Sequence, residues 1–328
     1  MLLLSRADVE QVLDRDALRD AIAAVMIEVS AGRVSLPSRV AAERSEPFGV
    51  MAAMPAYVPA LDAMATKVVN VFPANAGTGL PTHEAIIVLA DPGTGDFLAM
   101  LDGDVITAER TAAGSAVSAD VLAPRDAEIL AVVGTGVQAR SHALAVSRVR
   151  PFTSIRIAGR NAAAAAALAA DVAAEVDVDV TGSGDVEAAC RGAVVVCATT
   201  DSPTPIIRRD WLDPSAHVTS VGFAPGGPEI GSDIVHGADV VVVETRATAS
   251  DEYPVGTHEI RAAIESGGVD PTRLVELGEL AAAPGRHADA RDRLSLYKSA
   301  GIAAQDVAAA RLVFDAATRR GVGARVER

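Results

Sequence analysis

A glycine-rich turn at residues 134–139 (GTGVQA) has the residue types needed to hold a diphosphate. It follows the apolar run 129–133 (ILAVV) and precedes a helix-forming stretch that extends to about residue 148. Gly134 allows a tight turn, Gly136 lets backbone amides approach phosphate, and Ala139 permits close packing of a helix on a strand. Such turns also occur for structural reasons alone, but strand, turn and helix stand here in the order that a dinucleotide site requires.

The next predicted strand, 154–158, bears on the choice between the two nicotinamide dinucleotides. In the dinucleotide-binding pattern this strand ends with an Asp or Glu that binds the ribose hydroxyls of NAD. Here it is followed by Gly159, Arg160 and Asn161, without a carboxylate. Arg160 is suited to a bidentate contact with the 2′-phosphate of NADP(H), and Asn161 is assigned to the same site. We therefore expect NADP(H) to be favoured over NAD(H); a solvated arginine is the alternative interpretation.

Composition limits the class of protein. The 328 residues suffice for two domains, and with 50% hydrophobic but only 3% aromatic residues the cores must consist of Ala, Val, Leu and Ile. A net charge of −14 without a basic stripe argues against nucleic acid as a partner. The two cysteines have no ligand spacing, so neither a metal site nor a disulfide is expected. No apolar run reaches the ~18 residues needed to span a bilayer, so we expect a cytoplasmic protein.

Hydrophobic periodicity predicts an α/β fold. One or two helices are expected at 8–32, then strands at 48–54, 65–72, 84–90 and 97–101, the last two joined by a hairpin turn at 91–96. Strands at 128–133, 154–158, 176–180, 193–198, 216–221 and 239–243 follow, with helices between the first few, among them a helix at 162–170 capped by Asn161. A last helix is expected at 303–320. Strands joined by such crossovers form a doubly wound parallel sheet.

Several motifs resemble those of the ornithine cyclodeaminase/μ-crystallin family and occur in the family's order. They are 65–70 (ATKVVN), 79–83 (GLPTH), 101–103 (LDG), 110–113 (RTAA), the glycine turn with Gln138, 297–301 (YKSAG) and 305–306 (QD). The resemblance implies a Rossmann-type domain at 121–302 and a second α/β domain, 1–120 plus 303–328, for substrate binding and homodimer formation. It also implies redox chemistry on the Cα–N bond of a small amino acid or its imine. Besides a second copy of the chain, this small molecule is the only partner that we expect.

The resemblance further assigns roles to single residues. Arg39 matches the arginine that binds the substrate carboxylate, Lys67 matches the catalytic lysine, and Ala300 falls in the substrate site. An apolar strand around Lys67 would lower its pKa towards a value useful for proton exchange with an amine or imine; a lysine at a sheet edge is the alternative. The residues assigned to the cofactor are Thr82, Arg110, Gly134, Gly136, Val137, Gln138, Arg160, Asn161, Thr199 and Ser299.

One position departs from the cyclodeaminase pattern. Ala224 stands where that pattern has a catalytic Asp, and Glu229 or Glu259 would have to replace it. Because cyclisation with loss of ammonia needs an acid–base carboxylate, the sequence favours an NAD(P)-dependent reductase of cyclic or N-substituted imines, or an amino-acid dehydrogenase. A cyclodeaminase-type ammonia lyase with catalytic NAD and a non-catalytic NADPH-binding protein are the alternatives.

Overall fold

The computed structural model describes residues 1–222, 226–252 and 255–327. The chain divides into two compact units. We call Met1–Arg110 with Gly301–Arg328 the terminal unit, and Thr111–Ala300 the central unit. The sequence predicts domain boundaries after residues 120 and 302, whereas the two units divide after Arg110 and after Ala300.

The helices and strands are numbered in chain order. Those that begin before residue 123 are β1 (Leu2–Leu4), α1 (Arg6–Val12), α2 (Arg15–Ser30), β2 (Val40–Arg44), β3 (Gly49–Val58), β4 (Ala63–Val71), β5 (His83–Ala90), β6 (Phe97–Asp102) and α3 (Gly103–Leu122). Then follow β7 (Ile129–Val133), α4 (Val137–Val146), β8 (Ser154–Ala158), α5 (Ala162–Ala173), β9 (Asp179–Ser183), α6 (Val186–Cys190), β10 (Val195–Ala198), β11 (His217–Ser220), α7 (Ser232–Gly237) and β12 (Val240–Val243). The last are α8 (Arg246–Ser250), α9 (His258–Glu265), β13 (Val275–Glu276), α10 (Leu277–Ala282), β14 (Ser295–Lys298), α11 (Ala303–Arg320) and β15 (Ala324–Arg325). Short 3₁₀ helices cover Pro59–Leu61, Pro73–Asn75, Arg209–Trp211, Pro271–Arg273 and Pro284–Asp292.

Within the described residues, the terminal unit has one sheet in the order β15-β1-β6-β5-β4-β3-β2. Its pairs are antiparallel except for β1 and β6. Every second residue of β4 is buried, from Ala65 to Val69, and α11 packs on this sheet. The predicted hairpin is confirmed, because the backbone N–H of Asp91 donates to the carbonyl of Asp96 at 2.9 Å and Gly95 takes a positive φ of 75°.

The opposite face of this sheet carries a row of apolar residues that we call the outer row. Val40 lies opposite Ala53, Ala53 opposite Val68, and Val68 opposite Ile86 across four neighbouring strands. Val40 is 66% exposed and Ile86 41% exposed. Apolar side chains that line up across strands and remain exposed are typical of an interaction surface.

The central unit has the doubly wound parallel sheet that the sequence predicts. Its order is β13-β12-β14-β11-β10-β7-β8-β9, and every described pair is parallel. Leu130 and Val132 of β7 pack into one hydrophobic cluster, whereas Ala131 and Val133 pack into another. Because successive side chains of a strand point to opposite faces, the sheet is covered on both. The order reverses between β7 and β10, where such sheets bind their ligands.

Three strands of this sheet differ from the sequence prediction: β13 and β14, which the sequence does not predict, and β9, which begins later than expected. The strand β14 was not predicted, because its four residues (SLYK) show no apolar run, yet it lies between β11 and β12 with both polar ends buried. The strand predicted at 176–180 begins instead at Asp179, since pairing with Ser154 of β8 sets its register. Val176 and Val178 pack against the core from the preceding loop.

Candidate functional site

The glycine turn of the central unit has a backbone that excludes a side chain at its first position. Gly134 has a φ of +139°, and a Cβ there would lie 2.4 Å from Oγ1 and 2.8 Å from the carbonyl oxygen of Thr199. The amide and the hydroxyl of Thr199 both donate to the carbonyl of Val133 at 2.9 Å. The ends of β7 and β10 therefore lie in direct contact, which only glycine at position 134 permits.

The start of α4 meets the requirements of a phosphate site. Gly136 is its N-cap, no described side chain caps its first turn, and a Cβ at Gly136 would meet nothing within 4 Å. Val137 is 61% exposed, whereas Ala139 is fully buried against the sheet. Free N–H groups at a helix N-terminus bind anions. These residues therefore fit the diphosphate of a nicotinamide dinucleotide. Gln138 follows in the same turn, and its buried Oε1 has no partner among the described residues.

The segment after β8 contains the residues expected to select the cofactor. Arg160 is exposed, and no ion pair joins it to another described residue. The side chain of Asn161 accepts the amide of Ala164 at 3.1 Å, so it caps α5 as predicted. Arg160 is therefore available to an anion, while Asn161 has a structural contact of its own.

A buried cluster of charged side chains surrounds Lys67 in the terminal unit. Lys67 lies on the buried face of β4 and is 3% exposed, and its Nζ is 3.0 Å from Oδ2 of Asp306 in the first turn of α11. The Nε of Arg110 donates to Oδ1 of the same carboxylate at 3.0 Å. Arg39 donates to the carbonyl of Gly301 at 3.0 Å, just before α11. Two cations therefore contact one carboxylate, and a third, Arg39, lies close enough to act on the charge of Lys67; this excess of positive charge favours an anionic ligand.

The environment shifts the pKa of both members of the buried pair. Desolvation lowers the pKa of Lys67 to about 8; Asp306 opposes this shift, and Arg110 and Arg39 add to it. Burial alone would raise the pKa of Asp306, but Arg110 and Lys67 hold it below its ordinary value. Asp306 is therefore an ionised counter-ion at neutral pH, and Lys67 is the group that can exchange a proton near that pH.

The structure places the other predicted residues as follows. Arg110, assigned from sequence to the cofactor phosphates, is bonded to Asp306 beside Lys67. Thr82 is exposed just before β5. The hydroxyl of Ser299 and the amide of Ala300 both donate to the buried carboxylate of Glu244 after β12. The sequence assigned no role to Asp306 or Glu244. Asp306 lies in one of the family motifs, but only its contact with Lys67 shows that it is the counter-ion of that lysine.

Glu229 and Glu259, considered as substitutes for the missing Asp, belong to a network within the central unit. Both oxygens of Glu229 accept hydrogen bonds, from the amide and hydroxyl of Thr200, the hydroxyl of Ser220 and the amide of Gly222. Oε1 of Glu259 is 3.1 Å from the buried Nζ of Lys298. The described hydrogen-bond partners of the Glu229 side chain therefore all lie around the ends of β10 and β11. Ala224 lies outside the described residues.

The described part of the chain shows neither a metal-binding cluster nor a membrane-spanning helix. It holds no cluster of three His, Cys, Asp or Glu side chains that could bind a metal. Cys190 and Cys197 are both buried, and burial raises the pKa of each thiol to about 12. None of the described helices is long and apolar enough to cross a membrane.

A parallel sheet in this order, with a glycine turn at its point of reversal, defines a Rossmann-type dinucleotide-binding fold. The chain belongs to the ornithine cyclodeaminase/mu-crystallin family, whose model matches residues 1–321. The chain is 33% identical to the ketimine reductase mu-crystallin of Mus musculus over 286 residues, which are 87% of this chain and 86% of the relative.

Solved structures agree with this assignment. The Thermococcus litoralis Delta(1)-pyrroline-2-carboxylate reductase, in complex with NADH and L-proline, matches with a TM-score of 0.90 at 29% identity, over 99% of this chain and 100% of that one. An archaeal alanine dehydrogenase dimer with bound NAD matches with a TM-score of 0.86 at 26% identity, over 100% of this chain and 99% of that one. The predicted fold and family are confirmed.

Proposed function

We propose that this protein is an NAD(P)H-dependent reductase of cyclic or N-substituted imines of amino acids, of the ketimine or pyrroline-carboxylate type. The observation that carries the proposal is the buried pair of Lys67 and Asp306, set among Arg39 and Arg110. The mouse and Thermococcus relatives, named as reductases of such imines, give the substrate class.

The substrate carboxylate is bound by arginine. Arg39 and Arg110 both approach the start of α11, and their planar guanidinium groups suit a carboxylate. Gly301 supports this arrangement: its φ is +71°, and a Cβ there would lie 2.6 Å from Nη1 of Arg110. Because Arg110 is bonded beside Lys67, we assign it to the substrate anion rather than to the cofactor phosphates.

Lys67 supplies the proton. As an ammonium with a pKa of about 8, it is charged at neutral pH and donates a proton to the imine nitrogen, which becomes the amine nitrogen of the product. Asp306 stays ionised and holds the ammonium in place. In the reverse direction the neutral amine of Lys67 accepts the proton from the substrate nitrogen.

The cofactor is assigned to the central unit. Gly134, Gly136 and the first amides of α4 would hold the diphosphate, and Thr199 would follow at the nicotinamide ribose, with Val137 and Gln138 lining the same turn. When bound, the nicotinamide supplies the hydride. We further propose that Arg160 selects NADP(H). Arg160→Asp should weaken NADPH binding about tenfold or more and leave NADH binding unchanged or stronger, whereas equal loss for both cofactors argues against the proposal.

We also propose a homodimer formed through the outer row. Val40 and Ile86, at its two ends, are exposed, and the structurally similar alanine dehydrogenase is a dimer. Ile86→Glu should give a folded monomer by light scattering coupled to gel filtration. Val326→Glu changes an exposed apolar residue just after β15, at the edge of the sheet opposite β2, and is the control. A wild-type protein that is monomeric at all concentrations contradicts the proposal.

A panel assay tests the catalytic proposal. Purified protein is given cyclic imine carboxylates and open-chain ketimines with NADH or NADPH, and loss of reduced nicotinamide is followed together with formation of the amine product. Turnover of at least one imine carboxylate is expected. Release of ammonia from a diamino acid without net nicotinamide oxidation would show a cyclodeaminase instead, and tight NADPH binding without any turnover would show a binding protein.

A further inference from the structure

Gln305 is a fully buried amide in the first turn of α11, next to Asp306. Its Oε1 accepts two hydrogen bonds, one from the backbone amide of Ile302 at 3.1 Å and one from Nη1 of Arg110 at 3.3 Å. The first of these bonds satisfies an N–H at the helix terminus, and the second ties the amide to the cluster around Lys67.

The orientation of the amide follows from its partners. Both groups that face Oε1 are donors, so exchanging the oxygen and nitrogen would place N–H against N–H. The nitrogen Nε2 must therefore face away from Ile302 and Arg110. It is buried and has no hydrogen-bond partner among the described residues. A buried donor without an acceptor is rare in folded proteins, and one beside a binding site indicates a ligand that supplies the acceptor.

The surroundings define the chemistry of that ligand. Arg39, Lys67 and Arg110 carry three positive charges, and the pKa of Lys67 responds to both arginines and to Asp306. Asp306 supplies one negative charge, so the cluster has an excess of two positive charges. An unpartnered N–H beside this excess is suited to an anionic oxygen. Arg110 is bonded to both Gln305 and Asp306, which places the amide in the cluster assigned above to the substrate carboxylate.

We propose that Gln305 is a specificity-determining residue, whose Nε2 donates a hydrogen bond to the carboxylate of the substrate. The inference rests on the proposed function and adds to it. Gln305 distinguishes a carboxylate, whose two oxygens only accept, from a neutral carboxamide, whose nitrogen would meet the amide N–H as a second donor. The free protein bears an unsatisfied donor that the substrate satisfies.

The test is the variant Gln305→Glu, which keeps an acceptor for Ile302 and Arg110 and replaces the donor by a second acceptor oxygen that carries negative charge. The probes are pyrrole-2-carboxylate, a planar five-membered ring with a carboxylate, and its neutral carboxamide. Their affinities are measured by calorimetry on wild type, Gln305→Glu and the matched control Gln11→Glu, an exposed glutamine of α1. Wild type and control should bind the carboxylate more tightly than the carboxamide. Gln305→Glu should bind the carboxylate about 10- to 100-fold more weakly than wild type does, so the ratio of the two affinities should decrease or reverse.

Further readouts separate recognition from structure. Gln305→Glu should melt no lower than wild type without ligand, because it removes an unsatisfied donor and adds a negative charge beside three cations. KM for the imine carboxylate should rise more than kcat falls. Gln305→Met removes the acceptor for Ile302 as well, so its melting temperature should fall. An unchanged preference for carboxylate in a folded Gln305→Glu protein that binds the probes overturns the role of Gln305. If wild type binds neither probe and reduces no imine carboxylate, the proposed function fails together with this inference.

Discussion

Nζ of Lys67 lies 3.0 Å from Oδ2 of Asp306, and both side chains are buried. The two residues are 239 positions apart and meet because α11 packs on the buried face of β4 within the terminal unit. A buried ion pair contributes little to stability by itself, because both groups must leave water. Its effect on chemistry is larger. Burial lowers the pKa of Lys67, and the Asp306 carboxylate limits that fall, so the pKa stays at about 8 and the lysine is protonated at neutral pH.

Replacing Lys67 should abolish catalysis and spare cofactor binding. Lys67→Met preserves most of the side-chain volume and leaves Asp306 bonded to Arg110, so the fold should persist. Imine reduction should fall by about 10²- to 10⁴-fold, the range typical of general acid catalysis. Lys67→Arg should be similarly impaired, since a guanidinium keeps the charge but does not release its proton. NADPH affinity, measured by fluorescence titration, should stay within a few fold; normal turnover in either variant would show that the active site lies elsewhere.

The pH dependence of turnover should report the pKa of Lys67. Reduction needs the ammonium, so kcat/KM should be constant below pH 8 and fall as the pH rises through about 8. Oxidation of the amine needs the neutral lysine and should rise through the same range. Rates measured in both directions over one set of buffers test this, and parallel profiles would exclude Lys67 as the proton donor.

Removing the counter-ion should move that profile. Asp306 raises the pKa of Lys67 against the larger effect of burial, so Asp306→Asn should shift the fall in reduction to lower pH. The matched control is Asp315→Asn. Asp315 is a partly exposed aspartate of the same helix and accepts a hydrogen bond from Arg311. The same midpoint in wild type and Asp306→Asn would mean that another group limits the reaction.

The sequence predicts those features that depend on local pattern. The glycine turn, the strand before it, the helix after it and the cap of α5 by Asn161 each follow from residue type over a few positions, and the structure agrees. The strand β14 was not predicted because its place is set by partners distant in sequence. Lys298 at its end pairs with Glu259, and Ser295 at its start meets His217.

The same reason explains the incomplete prediction of the site. Lys67 could be singled out as a lysine in an apolar strand, and Arg39 by its match to the family. The roles of Asp306, Arg110 and Gln305 depend on how α11 returns to the first strands, which no local pattern encodes. The sequence considered Glu229 as a substitute for the missing Asp, whereas the structure shows its carboxylate bonded within the central unit. Those hydrogen bonds could not be predicted from the sequence either.

The two glycines of the turn should behave differently. Gly134→Ala introduces a Cβ at positive φ and within 2.8 Å of Thr199, so the melting temperature should fall, with a loss of about 1–3 kcal/mol. Gly136→Ala should leave the melting temperature unchanged, because its φ is −93° and its Cβ meets nothing within 4 Å. Its NADPH affinity should nevertheless drop roughly tenfold, since the methyl group intrudes where phosphate approaches. If Gly136→Ala bound NADPH as tightly as wild type, the assignment of the diphosphate to this turn would be wrong.

Two buried histidines should make the protein sensitive to acid. Burial lowers the pKa of His142 to about 4 and that of His217 to about 3. The hydroxyl of Ser118 donates to the carbonyl of Ser115, so Nε2 of His217 must donate to that hydroxyl, and Nδ1 accepts from Ser295. These bonds hold the imidazole of His217 neutral, and burial favours the neutral form of both rings.

The sign of the effect follows from linkage. Below the unfolded pKa of about 6.5 the unfolded chain binds protons that the folded chain refuses, so the free energy of unfolding falls as the pH drops from there towards 4. Each pH unit in this range contributes about 1.4 kcal/mol per histidine. His217→Gln keeps a donor and an acceptor without a titrating ring and should lose less stability between pH 7 and 5 in urea unfolding. His83→Gln, at an exposed imidazole, is the control; equal slopes in His217→Gln and wild type would assign the acid sensitivity to other groups.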